Sequence, residues 1–270
     1  MLQMVVCVKQ VPDTTEVRID PRTNTLVRAG VPAIINPFDA HAVEAAVQLK
    51  ERYGGRVTAL SMGPPQATEV LRRALGMGAD RAILLSDRAF AGSDTLATSY
   101  ILAAAIRTID RETPVDLVFC GKQAIDGDTA QVGPGIATRL GFTQLTYVMA
   151  IDSVDLGGRQ IQVQRKLEGK REVVRGRLPA LVTVVKDLNE LRYASLPALI
   201  QAARAEIVTW NKDNLAIDPA HLGLKGSPTS VRRIFAPPER PGGELIPGDP
   251  RQAAATLVAK LVLTKIIADK

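Results

Sequence analysis

The chain has 270 residues, 46% apolar and 23% charged, which supports a packed core and excludes a disordered polymer. Its formal charge is +6, but Lys and Arg are scattered, only 4% of residues are aromatic and no nucleic-acid motif occurs; acidic partners or anionic cofactors are expected, and no nucleic acid. No run of about 18 apolar residues occurs, the first residues lack the features of a leader, and two distant cysteines read as free thiols, so a cytoplasmic location is expected.

In chain order, residues 4–9 (MVVCVK) read as a buried strand. A helix follows over 37–53, with Ala42, Val43, Ala46, Val47 and Leu49 on its apolar face and Asn36 or Asp39 as its cap. Residues 56–61 predict a second strand, and 66–77 a second helix ended by Gly78. A third strand over 81–86 precedes a long helix over 93–109, capped by Ser93 or Asp94. A fourth strand over 115–120 runs into a polar loop over 121–129 and a helix over 128–140. This alternation predicts an α/β fold, a doubly wound and mostly parallel sheet with helices on both faces. Ligands of such sheets bind outside the carboxyl ends of the strands.

From residue 145 the pattern changes. Residues 145–151, 159–167 and 172–175 read as strands joined by turns at Gly157-Gly158 and Glu168-Gly169, an antiparallel β excursion before a buried strand at 181–185. An Ala-rich helix over 197–205 follows. Residues 210–250 hold seven of the 17 prolines and little periodicity, which predicts either a disordered tail or an arm laid on another surface, with the ordered-looking stretches 223–228 and 231–235 favouring the arm. An amphipathic helix over 251–267 presents Ala254, Leu257, Val258, Leu261, Val262 and Ile266 on one face. The expected organisation is an α/β domain over 1–209 and a C-terminal arm plus helix over 210–270.

The strongest chemical signal is CGKQAIDGDTAQVGP at 120–134, between a strand and a helix. Gly121, Gly127 and Gly133 permit tight turns and close backbone approach. Thr129 and Gln131 stand beside a helix N-terminus, where free N–H groups form an anion site. The loop is neither a Walker A loop nor a GxGxxG fingerprint, and it reads either as a phosphate site or as a Gly-rich connection with an ordinary cap. Asp126 and Asp128 would repel phosphate, so they read as turn-formers and caps. On the same sheet edge, AGSDTLATS at 91–99 offers Asp94, Thr95 and Thr98 as caps or as polar ligand contacts. Cys7, Cys120, His41 and His221 have no triad or metal spacing.

GKQAID followed by a Gln-containing turn into a helix resembles the nucleotide loop of electron transfer flavoprotein β subunits. VVCVKQVPD at 5–13, Asn36-Pro37-Phe38-Asp39, GMGADR at 76–81, VQRKLEGKREVVRGRLPALVT at 163–183 and LRYASLPALIQAARA at 191–205 agree, in order; Lys170 stands where Gly or an acidic residue is expected. The resemblance implies an adenine nucleotide alpha hydrolase-like fold and a heterodimer whose α subunit carries one FAD. It also implies an adenine nucleotide on this chain: AMP in standard members, a second FAD in bifurcating and nitrogen-fixation-associated ones. The positions matching nucleotide contacts are Cys7, Asn36, Pro37, Phe38, Asp39 and Met62, with Gly121, Lys122, Gln123, Ala124, Ile125, Asp126 and Gly127, then Asp128, Thr129, Ala130, Gln131, Val132 and Gly133.

The resemblance favours FAD: GDTAQVGP at 127–134 is similar to the form in bifurcating and nitrogen-fixation-associated members, and AGSDTLATS at 91–99 would set Asp94, Thr95 and Thr98 at the polar edge of its isoalloxazine, beyond the capping role of Ser93 or Asp94. NADH is then the electron donor. Ferredoxin or flavodoxin, and an acyl-CoA dehydrogenase or quinone oxidoreductase, are the acceptors, with no covalent catalysis by side chains. The resemblance further implies that Tyr193 and Leu196 dock a redox partner and that the arm and last helix grip the α subunit. Membrane association would arise only through partner subunits. A universal-stress-type ATP sensor on a similar sheet is the rival reading, and it gives no reason for the motifs at 163–183 and 191–205.

Overall fold

The computed structural model describes residues 1–13, 19–20, 25–26, 33–232 and 242–267. Among these residues a nine-stranded sheet forms from β1 (Leu2–Cys7), β2 (Gly55–Met62), β3 (Arg81–Leu85), β4 (Leu117–Gly121), β5 (Thr143–Asp155), β6 (Gln160–Leu167), β7 (Lys170–Arg177), β8 (Ala180–Val184) and β9 (Val208–Trp210). Their spatial order is β7-β6-β5-β8-β4-β1-β2-β3-β9. Every pairing from β5 to β9 along that order is parallel, and β5-β6-β7 is antiparallel, as the change of pattern after residue 145 predicts.

The parallel strands are apolar on both faces because both are covered. Met4 and Val6 enter one core with α1 (Pro37–Tyr53) and α2 (Thr68–Gly76), represented by Val43, Val47 and Leu71. Val5 and Cys7 enter the other with α3 (Thr95–Glu112) and α4 (Val132–Leu140), represented by Ile101, Ile106 and Ile136. This two-layered covering confirms the α/β fold.

Several features differ from expectation. The fourth helix starts at Val132 and not at 128, because Asp128 and Ala130 take positive φ values of 52° and 54°, which a right-handed helix cannot accommodate. The edge strand β9 was not expected: at three residues it is too short for periodicity, and its register opposite Ile83, Leu84 and Leu85 fixes it. With Trp210, Leu215 and Leu222 buried, the first compact unit runs Met1–Arg233, so the boundary expected at 209 lies inside it. Of the expected arm, residues 233–241 lie outside the described residues.

The second unit is Ile234–Lys270. Its α6 (Pro250–Leu263) is capped by Asp249, which accepts from the N–H groups of Arg251 and Gln252 at 2.9 and 3.0 Å. The helix ends before Ile266, so that residue lies outside the expected face. Gln252, Thr256 and Lys260 fall on one i, i+4 stripe, and the apolar surface beside it is broader than expected, taking in Ala255, Ala259 and Leu263. No helix among the described residues is long and apolar enough to cross a membrane.

Candidate functional site

The chain leaves β1 toward β2 on one side and later returns to β4 on the other, so the carboxyl ends of β1 and β4 flank the point where strand order reverses. In a doubly wound sheet, a ligand crevice opens there. Cys7 and Cys120 are register partners at those ends, both buried. The hydrogen bond with Cys7, and then burial, push the Cys120 thiol well above its usual range, which disfavours the nucleophilic thiolate.

Asp39, in the first turn of α1, ties the two strand ends together. It accepts from the N–H of Lys9 at 2.8 Å and of Gly121 at 3.0 Å. Burial pushes its carboxyl up to about 7, against the pull of these bonds. Glycine is required at 121, since a Cβ there would lie 2.3 Å from Asp39 Oδ1 and 2.6 Å from Phe38 Cβ. Asn36 is fully buried. Its Nδ2 donates to Gln123 O at 2.9 Å and its Oδ1 accepts from the Ile125 N–H at 3.2 Å. It occupies the N-cap position of α1 without a side-chain capping bond, because its amide is engaged with the loop; Pro37 opens the helix. The Lys186 ammonium lies 5.3 Å from the centre of the Phe38 ring.

Beyond Ile125 the loop closes on itself. The N–H groups of Gly127 and Asp128 return to Ala124 O, and the Gln123 amide donates to the Asp128 carboxylate. Lys9 Nζ holds both oxygens of Asp126, at 2.7 and 2.8 Å. The backbone then passes through the two positive-φ residues, a strained arrangement for Ala130 in particular. The N–H groups of Thr129, Ala130 and Gln131 are left without an acceptor among the described residues, immediately before the first, unpaired N–H groups of α4 beginning at Val132. Close packing of α4 on β8 is possible because residue 133 is glycine: a Cβ there would lie 2.6 Å from Thr183 Cγ2.

Thr95 Oγ1 donates to Gln131 Oε1 at 2.9 Å, so the starts of α3 and α4 meet at this crevice. Lys122, on the same loop, has its ammonium 5.3 Å from the Tyr147 ring centre. Free main-chain donors at a helix start, with lysines nearby, fit a phosphate-bearing cofactor.

The other expected contacts are placed as follows. Asp94 caps α3 through Oδ1, accepting from Leu96 and Ala97, and its Oδ2 accepts the N–H and hydroxyl of Thr229. Burial acts to raise its carboxyl, but these bonds outweigh it and hold the group below its usual range. Its acceptor capacity is thus engaged by protein. Thr98 sits one turn on, its N–H bonded to Asp94 O at 2.9 Å. Met62, at the end of β2, packs partly buried against the α3 and α4 core.

A second region is exposed. In α5 (Leu196–Arg204), Ser195 caps the start, accepting from the Ala198 N–H at 3.3 Å. Leu196 is 70% exposed and Tyr193 is 98% exposed; Pro197 and Ile200 extend Leu196 into an apolar face. Sequence reasoning missed the groups that hold this segment. Arg192 bonds Glu44 at 2.8 and 3.0 Å and Glu51 at 2.6 and 3.0 Å. Glu51, then Glu44, push the guanidinium further above its already high range. Arg72 donates to the carbonyls of Ala202, Ala203 and Ala205 at the other end of α5. Glu44 and Arg192 lie 148 positions apart, so no local pattern announces the pair. Lys9, also missed, had a signal in its place at the end of the first strand.

Residues 23–215 match the family model described as the electron transfer flavoprotein domain. The chain is 51% identical to protein FixA of Bradyrhizobium diazoefficiens, over 97% of this chain and 91% of that protein. It is 50% identical to the electron transfer flavoprotein subunit beta of Clostridium acetobutylicum, over 96% and 98% of the two chains. Against the caffeyl-CoA reductase-Etf complex subunit CarD of Acetobacterium woodii the identity is 48%, over 98% and 100%. A family match over most of the chain, with relatives of this similarity along their whole length, establishes that the chain belongs to the electron transfer flavoprotein family, as a subunit of the β type.

Proposed function

We propose that this chain holds an FAD in the crevice between β1 and β4 and works in a heterodimer with an α-type subunit that carries a flavin of its own. The observation that carries this reading is the run of free N–H groups at Thr129, Ala130 and Gln131, placed at the start of α4 and at the switch point of the sheet. The meeting of Thr95 with Gln131 supports a ligand longer than a mononucleotide, because it carries the crevice wall on to the start of α3.

Flavin supplies the electron-transfer chemistry when bound, and the protein supplies binding and orientation. Asn36 and Asp39 act from beneath: they hold the backbone of 121–125 in place. Gly121 to Gly133 cradle the diphosphate, while Thr95 and Thr98 lie toward the isoalloxazine. In this reading NADH is the electron donor for bifurcation between ferredoxin or flavodoxin and an acyl-CoA dehydrogenase or quinone oxidoreductase. The name of the Acetobacterium woodii relative, which joins Etf to a caffeyl-CoA reductase in one complex, supports such a setting. The apolar face of α5 docks the redox partner. The largely apolar α6 suits burial against another protein, here the α subunit.

The test is a flavin count. Denaturing the purified heterodimer is expected to release two FAD per pair. One FAD with one AMP would replace FAD by AMP at this crevice, and no nucleotide beyond one FAD would remove the crevice from the account.

A further inference from the structure

The crevice poses a problem of sign. An incoming phosphate meets a turn bearing Asp126 and Asp128, with Asp39 below it. Asp39 is buried and satisfied by two main-chain donors. Asp128 receives the neutral amide of Gln123. Asp126 is met by a full charge, since Lys9 Nζ binds both of its oxygens. The two residues are 117 positions apart, so the pair bridges from the end of β1 to the loop after β4. Among the described residues, Lys9 Nζ donates to nothing else.

We infer that Lys9 makes the crevice compatible with phosphate by cancelling the charge of Asp126 and fixing the turn around it. This rests on the nucleotide reading given above and adds to it a positioning residue outside the loop. The alternative for Lys9 is a surface ion pair that merely decorates the rim. Such a pair contributes little to folding, and Lys9 and Asp126 are 49% and 28% exposed. Its worth here lies in the ligand's charge, because an unpaired carboxylate next to a phosphate repels it, most strongly at low salt.

A four-member comparison in the purified heterodimer tests this. The bound nucleotide is stripped, and FAD and AMP are titrated back calorimetrically. Lys9→Met is expected to lower affinity about tenfold at low salt, with a smaller loss at high salt. Asp126→Asn is expected to raise affinity, because the ammonium then faces the ligand alone. The double variant is expected to return to within about threefold of wild type, which simple pairwise loss would not give. Lys9→Arg, which keeps the charge, is expected to bind like wild type.

Recovery in the double variant also excludes misfolding as the cause of the Lys9→Met defect, since the same side chain is missing in both. Wild-type affinity in Lys9→Met would overturn the inference. So would a double variant as weak as Lys9→Met, which makes Lys9 a direct phosphate ligand. A wild-type protein that takes up neither FAD nor AMP overturns the nucleotide reading itself, an outcome separate from either.

Discussion

The crevice and the face of α5 use polar side chains in the same way and leave opposite surfaces free. At the crevice, Asn36, Asp39, Gln123 and Asp126 are all bonded within the protein, and the groups left over are main-chain N–H donors. At α5, Arg192 and Arg72 clamp the segment at its two ends, and the groups left over are the side chains of Leu196, Pro197 and Ile200. Polar residues thus serve as scaffold in both places. What remains is suited to an anion in one and to an apolar partner in the other. Asn36 and Asp94 illustrate the scaffold role, each bonding main-chain groups of a neighbouring loop or helix start.

The largest effect that separates the regions is expected from Asp39. Its folded pKa, about 7, lies above the ordinary 3.8, so between these values the folded protein binds more protons than the unfolded chain. Its contribution is therefore full below about pH 4 and lost as pH rises through about 7. At about 1.4 kcal/mol per unit the loss is at most about 4 kcal/mol. Depressed carboxylates such as Asp94 and Glu51 act with the opposite sign, but they are shared by wild type and variant. Urea unfolding of wild type and Asp39→Asn from pH 4 to pH 8 should show a difference that changes steadily up to pH 7 and is flat above. A difference independent of pH would show that Asp39 keeps an ordinary carboxylate pKa.

The α5 counterpart is Arg192. Glu44 is buried to 3% exposure and Arg192 keeps 30%, so breaking the bridge strands a buried carboxylate while solvent screens part of the cost. Arg192→Ala should destabilise the protein by roughly 2 kcal/mol in urea unfolding and loosen the segment that leads into α5, leaving flavin content unchanged. Glu44→Gln with Arg192→Met should recover part of that stability, because neither charge is then left alone. A variant that loses flavin together with stability would show that the two regions are coupled, contrary to the comparison.

The parallel sheet and its helices were legible because each strand is a short apolar run and each helix carries a 3.6-residue pattern, as in residues 4–9 and 37–53. The excursion β5–β7 was legible from its turn glycines. The Gly-rich loop was legible as a candidate site from its glycines, and Gly121 and Gly133 do stand where a Cβ would clash with a neighbour. Three features were not legible. The start of α4 depends on two left-handed residues, one of them an alanine, which local propensity places in a helix. The strand β9 is too short to show a period and is fixed by β3 alongside. The Arg192–Glu44 bridge joins residues whose nearness exists only in the folded chain.

Leu196 gives the smallest effect on stability and the sharpest one on function. A leucine is ordinarily a core residue, but this one is 70% exposed at the first position of α5. Ser195 still caps the helix in Leu196→Ala, and Ala favours helix, so unfolding should shift by less than about 0.5 kcal/mol. An exposed apolar side chain that enters a partner's pocket contributes about 1 to 2 kcal/mol to docking. Electron delivery to the redox partner should therefore show a KM raised about tenfold, with the maximal rate and flavin content unchanged. A variant that turned over like wild type at low partner concentration would move docking to another face. A variant that lost stability instead would show that the exposed leucine packs against its own protein after all.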